Sequence, residues 1–149
     1  MRKVWWILFL SSALAQGAEL ASWVRESPGY AALRAQRAEA ALALEAARAG
    51  LVEVGKTVDM GTTQLWTRIN SLDSPWCLDD LTTLVGEIGD KLDVVMVPKV
   101  EGPEDIHYVD RLLAQLEAKA GLTEPLLVHA ILETARGVAN VEEICAASP

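Results

Sequence analysis

With 149 residues, 51% of them hydrophobic and 23% charged, the chain has the apolar content of one buried core and too much of it for a disordered polymer. A formal net charge of −8 excludes general affinity for nucleic acid and leaves room only for local cationic sites. Cys77 and Cys145 stand in no metal-ligand or redox spacing and read as free thiols on helices.

Residues 1–15 have the three-part layout of a secretory signal: basic Arg2 and Lys3, an apolar run from Val4 to Leu10, and the small-x-small Ala13-Leu14-Ala15. The run is shorter than the roughly 20 apolar residues that span a bilayer. Residues 16–55 read as a helical N-terminal region. Ser27 is its candidate N-cap and Pro28 suits the first helical position. Ala, Leu, Arg and Glu fill the interior, with Gly50 or Gly55 as the stop.

From residue 56 to 149 the pattern changes to alternating strands and helices. Gln64 to Asn70 has strand composition, with Trp66, Arg68 and Asn70 on one face and Leu65, Thr67 and Ile69 on the other. Ser74-Pro75 opens a helix with Leu78, Leu81, Val85 and Ile88 at helical spacing, ended by Gly89. Leu92 to Val97 is a short buried strand closed by Pro98-Lys99. Gly102-Pro103 starts a helix whose stripe is Ile106, Val109, Leu112, Leu113 and Leu116, and Gly121 ends it. Leu126 to Leu132 is a third strand, and a turn and a helix to about Ala147 follow. The order predicts an α/β fold with a parallel sheet covered by helices, of about three strand–helix units behind an Ala-rich helix.

Each strand ends in polar groups: Arg68 and Asn70, Lys99 and Glu101, Glu133 and Arg136. In a (β/α) barrel such ends meet at one mouth. A doubly wound sheet gathers them less tightly, and no strand here is followed by a glycine-rich phosphate loop. Glu133, closing an apolar strand, is the strongest candidate, because a buried carboxylate needs a cation. That cation is either a metal, for which Mg²⁺ with its hard oxygen ligands is the natural choice, or Arg136 or Arg68. Arg68 sits where solvent is expected to be distant, and its planar guanidinium suits a carboxylate. Lys99 has two readings, an anion site or a pair with Glu101. His129 shares its strand face with Glu133 and reads as a core histidine, and His107 as a solvated one. Asp79-Asp80 and Glu142-Glu143 lie near helix starts, where acids favour the dipole, and read as structural.

Three stretches, Trp66 to Trp76, Val95 to Glu101, and Ile131 to Gly137 running on through Ile144 to Pro149, resemble the citrate lyase β-subunit-like and malyl-CoA lyase family in order and separation. The likeness spans about residues 45–149. It implies a partial TIM-type barrel and a Mg²⁺-dependent carbon–carbon lyase acting on a coenzyme A thioester such as malyl-CoA, with glyoxylate as an example of the keto acid. It matches Glu133 to a metal carboxylate and Arg68 to the substrate-binding arginine. It also implies that the second metal carboxylate lies on a strand beyond Pro149, so that the alternative expectation is a catalytically incomplete relic acting as a binding or association module. Exposed barrel edges would favour a homo-oligomer. The family implies a cytoplasmic or organellar enzyme, whereas residues 1–15 point to export.

Overall fold

A computed structural model describes residues 21–22 and 24–147, so the signal-like segment lies outside the described residues. The first long element is helix α1, Pro28–Thr57. Ser27 caps it as expected, its hydroxyl accepting from the Tyr30 amide at 3.3 Å. The helix passes through Gly50, which alanine and other good helix formers surround, and ends at Thr57, two residues past Gly55. The described chain divides into two units at the boundary between Ala46 and Ala47. In the described part of the first, the Leu33 and Leu42 side chains are exposed.

The second unit holds the last turns of α1 and then β1 (Trp66–Arg68), α2 (Cys77–Ile88), β2 (Val94–Val97), α3 (Pro103–Ala120), β3 (Leu127–Ala130), α4 (Ala135–Ala139) and α5 (Val141–Ala146). The strands form one parallel sheet in the order β1-β2-β3. Arg68 stands opposite Met96, and Met96 opposite His129. All three strands therefore end at the same side. Alternation divides the sheet into two faces. Thr67, Val95 and Val97 are buried toward the helices. There Leu81, Val85 and Ile88 of α2 and Ile106, Val109 and Leu113 of α3 complete the core. Leu84 joins them, whereas Leu78 lies one position off the stripe and is exposed. Near the end of α1, Gly55 lets Ile88 approach; a Cβ there would sit 2.9 Å from its side chain.

Several elements differ from the periodicity. Ser74-Pro75 forms a turn, and α2 begins at Cys77. The final helix is two short ones meeting at Asn140. Gly121 ends α3 in the left-handed region at φ 74°, as its position predicts. Both cysteines are free thiols, Cys77 buried and Cys145 exposed.

The other sheet face carries Trp66, Arg68, Met96, Leu127 and His129, and no helix of the described residues covers it. Trp66 and Leu127 are exposed there. Arg68 is exposed as well, contrary to the expectation of a site remote from solvent. Among the described residues helices cover the sheet on one side only, so Trp66, Arg68, Leu127 and His129 meet water, while Val94, between Trp66 and Leu127 on that face, stays buried. His129 is likewise exposed rather than in the core, its ring tilted against Trp66 with centroids 5.4 Å apart.

Candidate functional site

The carboxyl ends of the three strands carry the polar groups. At the end of β1, the backbone past Arg68 is held by a buried carboxylate. Asp80 accepts from the Asn70 amide at 2.7 Å and from Asn70 Nδ2 at 2.7 Å. Its other oxygen accepts from Arg48 Nε at 2.6 Å. The Arg48 guanidinium also donates to the Trp76 carbonyl at 3.4 Å, tying the start of α2 to the end of α1. Asp80 is 5% exposed, and this pairing is what makes a buried charge tolerable. It is structural, as its place near a helix start suggested, but through a cation and a strand end rather than the dipole. The partners lie 10 and 32 residues away in sequence, so no local signal marked them.

At the end of β2 the chain leaves the sheet through a bulge. The Ile131 amide donates to the Val97 carbonyl at 2.9 Å, and the Val100 amide donates back to the Ile131 carbonyl at 3.3 Å. A regular parallel ladder would use residue 99 for the second bond, so one residue is extra. Lys99 takes up the difference at φ 55°, a left-handed conformation that costs a side-chain-bearing residue about 1 kcal/mol. The following residues are clamped. The Glu101 amide donates to Asp105 at 2.8 Å, and Asn140 Nδ2 donates to the Glu101 carbonyl at 2.8 Å. A Cβ at Gly137 would collide with the Val100 carbonyl oxygen, so only glycine lets α4 sit this close. Thr134 caps α4 by accepting from the Gly137 amide at 3.0 Å.

Past β3 stands Glu133, exposed. Arg136 is not its partner. It lies 3.7 Å from Glu101 and 3.6 Å from Glu104, exposed pairs worth little. Neither Arg68, Lys99 nor Glu133 is in an ion pair within 4 Å among the described residues. Lys99 instead acts at longer range on Asp73, in the loop after β1. The Ser71 hydroxyl, donating at 2.6 Å, holds the Asp73 carboxyl below the ordinary carboxylate range, and the Lys99 charge adds in the same direction. His107 is exposed on α3, as expected.

Among the described residues no group of three or more His, Cys, Asp or Glu side chains is gathered for a metal. A single carboxylate free of protein cations still matches the habit of Mg²⁺, which uses one or two carboxylates together with substrate and water. Glu133 is such a group.

Parallel strands joined by helices, with polar side chains at and beyond their carboxyl ends, are the pattern of a β/α-type fold. Residues 33–149 match the HpcH/HpaI aldolase/citrate lyase family, and the chain belongs to that family. A malyl-CoA/β-methylmalyl-CoA/citramalyl-CoA lyase of Chloroflexus aurantiacus is 58% identical over 107 residues, which are 72% of this chain and 31% of that one. The β subunit of citrate lyase from Leuconostoc mesenteroides subsp. cremoris is 35% identical over 70% of this chain and 34% of its own. The crystal structure of RipC from Yersinia pestis shares the fold at a TM-score of 0.52 and 28% identity, over 70% of this chain and 40% of that one. The chain thus spans about a third of the curated relatives it matches.

Proposed function

We propose that this chain carries part of the active site of a lyase that splits coenzyme A esters of β-hydroxy acids, malyl-CoA being the type substrate, into an acyl-CoA and a keto acid such as glyoxylate. The observation that supports it most is that Arg68 ends β1 while Lys99 and Glu133 follow the carboxyl ends of β2 and β3, in a chain 58% identical to a lyase of that name. Arg68 is the substrate-binding residue. Its guanidinium is exposed and pairs with no carboxylate among the described residues, so it is available to grip the keto-acid carboxylate with two parallel hydrogen bonds. Glu133 is the metal carboxylate and would hold Mg²⁺ by one or two oxygens. The ion, when bound, supplies Lewis-acid polarisation of the keto-acid carbonyl. In the cleavage direction the bond between the thioester α-carbon and the carbinol carbon breaks, the hydroxyl proton leaves, and the α-carbon is protonated. Arg68 keeps the leaving keto acid oriented while this happens.

The test is Mg²⁺-dependent release of glyoxylate from malyl-CoA by the purified protein. Release that disappears in Glu133→Ala and Arg68→Ala is the expected result. No release above background overturns catalysis by this chain, and activity retained in Glu133→Ala overturns the metal assignment.

A second reading rests on the uncovered sheet face. Trp66 and Leu127 are 46% and 59% exposed there, and β1 and β3 are edge strands of the described sheet. Apolar surface and unpaired edges favour association, so the chain also serves as an association module that pairs with a second copy. Sedimentation velocity on the wild type and on Leu127→Lys tests it. A dimer weakened by the lysine is expected, and a monomer at all concentrations sinks it.

A further inference from the structure

We infer that Lys99 is an anion-binding residue of the strand-end site, delivered there by the bulge at Pro98-Lys99. The inference rests on the strand-end reading above and adds a residue to it. Ile131 holds Val97 and Val100 from one side, at 2.9 and 3.3 Å, and the extra residue between them must leave the ladder. Bulges beside active sites re-aim a side chain in this way. The residue that leaves is not glycine or asparagine, which adopt φ 55° with least strain, but lysine. Backbone strain kept at a position that glycine or asparagine would relieve points to use of the side chain. The clamps on Glu101 from Asp105 and Asn140, and the close approach of Gly137 to Val100, keep the bulge from relaxing.

The electrostatics agree with the geometry. Lys99 is exposed, and its charge reaches the loop after β1. The carboxylate that sequence offers it, Glu101, is turned toward Arg136 instead. Lys99 therefore follows the carboxyl end of β2, the strand between β1 and β3, and its ammonium has no counter-ion within 4 Å among the described residues. A group of this kind binds an oxyanion, a carboxylate or a phosphate, as a point charge. In a coenzyme A ester lyase both are at hand, on the keto acid and on the coenzyme.

Titration calorimetry with glyoxylate plus Mg²⁺ and, separately, with coenzyme A distinguishes the two sources. Lys99→Asn removes the charge and keeps a residue suited to the left-handed backbone, and Lys99→Arg keeps the charge. The expected result is about fivefold weaker binding of one probe in Lys99→Asn, restored in Lys99→Arg, with the melting temperature of Lys99→Asn no lower than wild type. Loss confined to glyoxylate assigns the carboxylate, and loss confined to coenzyme A assigns the phosphate. Unchanged affinity for both probes in Lys99→Asn, while Arg68→Ala or Glu133→Ala weakens binding, overturns the role of Lys99 alone. A wild type that binds neither probe overturns the strand-end reading together with this one.

Discussion

Asp80 holds Asn70 twice, accepting from its amide and from its side chain at 2.7 Å each. This pair fixes the turn immediately beyond Arg68, and Arg48 neutralises the carboxylate from the end of α1. Three separate stretches of chain thereby set the backbone at one corner of the site.

Asp80→Ala removes the acceptor of all three bonds and leaves a guanidinium that is largely buried. Loss of about 3 kcal/mol is expected, read as a lower urea midpoint at unchanged slope. Asp79→Ala, one residue earlier and exposed, is expected to stay within about 0.5 kcal/mol.

Gly137→Ala drives a methyl group into the Val100 carbonyl. Either α4 or the Lys99 bulge must shift, at about 1–3 kcal/mol. Thermal unfolding measures the cost, and Gly29→Ala, with open space around it, is the control expected to raise stability slightly.

Glu133→Ala and Arg68→Ala, at exposed positions with no ion pair among the described residues, are expected to change stability by less than about 0.5 kcal/mol. The measurement is denaturation in parallel with Mg²⁺ titration. Loss of binding at unchanged stability separates a functional role from a structural one.

Burial pushes the Cys77 thiol above its ordinary value of 9.0, with the charge of Asp80 acting in the same sense. The folded state therefore holds this proton more tightly than the unfolded state. The associated stability is fully present below pH 9.0 and is lost as pH rises through the folded value. At pH 8 a thiol reagent is expected to label Cys145 at once and Cys77 only on unfolding. Two equally fast labels would contradict the buried position of Cys77.

The order of elements was readable before any coordinates. Apolar runs of strand length followed by capped helices specify parallel strands with helical crossovers, since consecutive parallel strands need such a connection. Arg68, Lys99 and Glu133 were legible for the same reason: a polar residue that ends an apolar strand has few places to go. Exposure was not legible. Alternation put Arg68 on a face opposite the core, but only the packed sheet shows that the helices cover one side and leave that face to water.

What the sequence determined by itself is local: the periodicity of each element, the Ser27 cap, the left-handed stop at Gly121 and the motifs that define the family. These depend on residues within a turn or a strand of each other. The tertiary structure alone decided the partners. Asp80 meets Arg48 across 32 positions and Asn140 meets Glu101 across 39, because strand pairing and helix packing bring distant segments together. It alone decided the bulge at Lys99 as well, since an extra residue in a ladder exists only relative to the strand beside it.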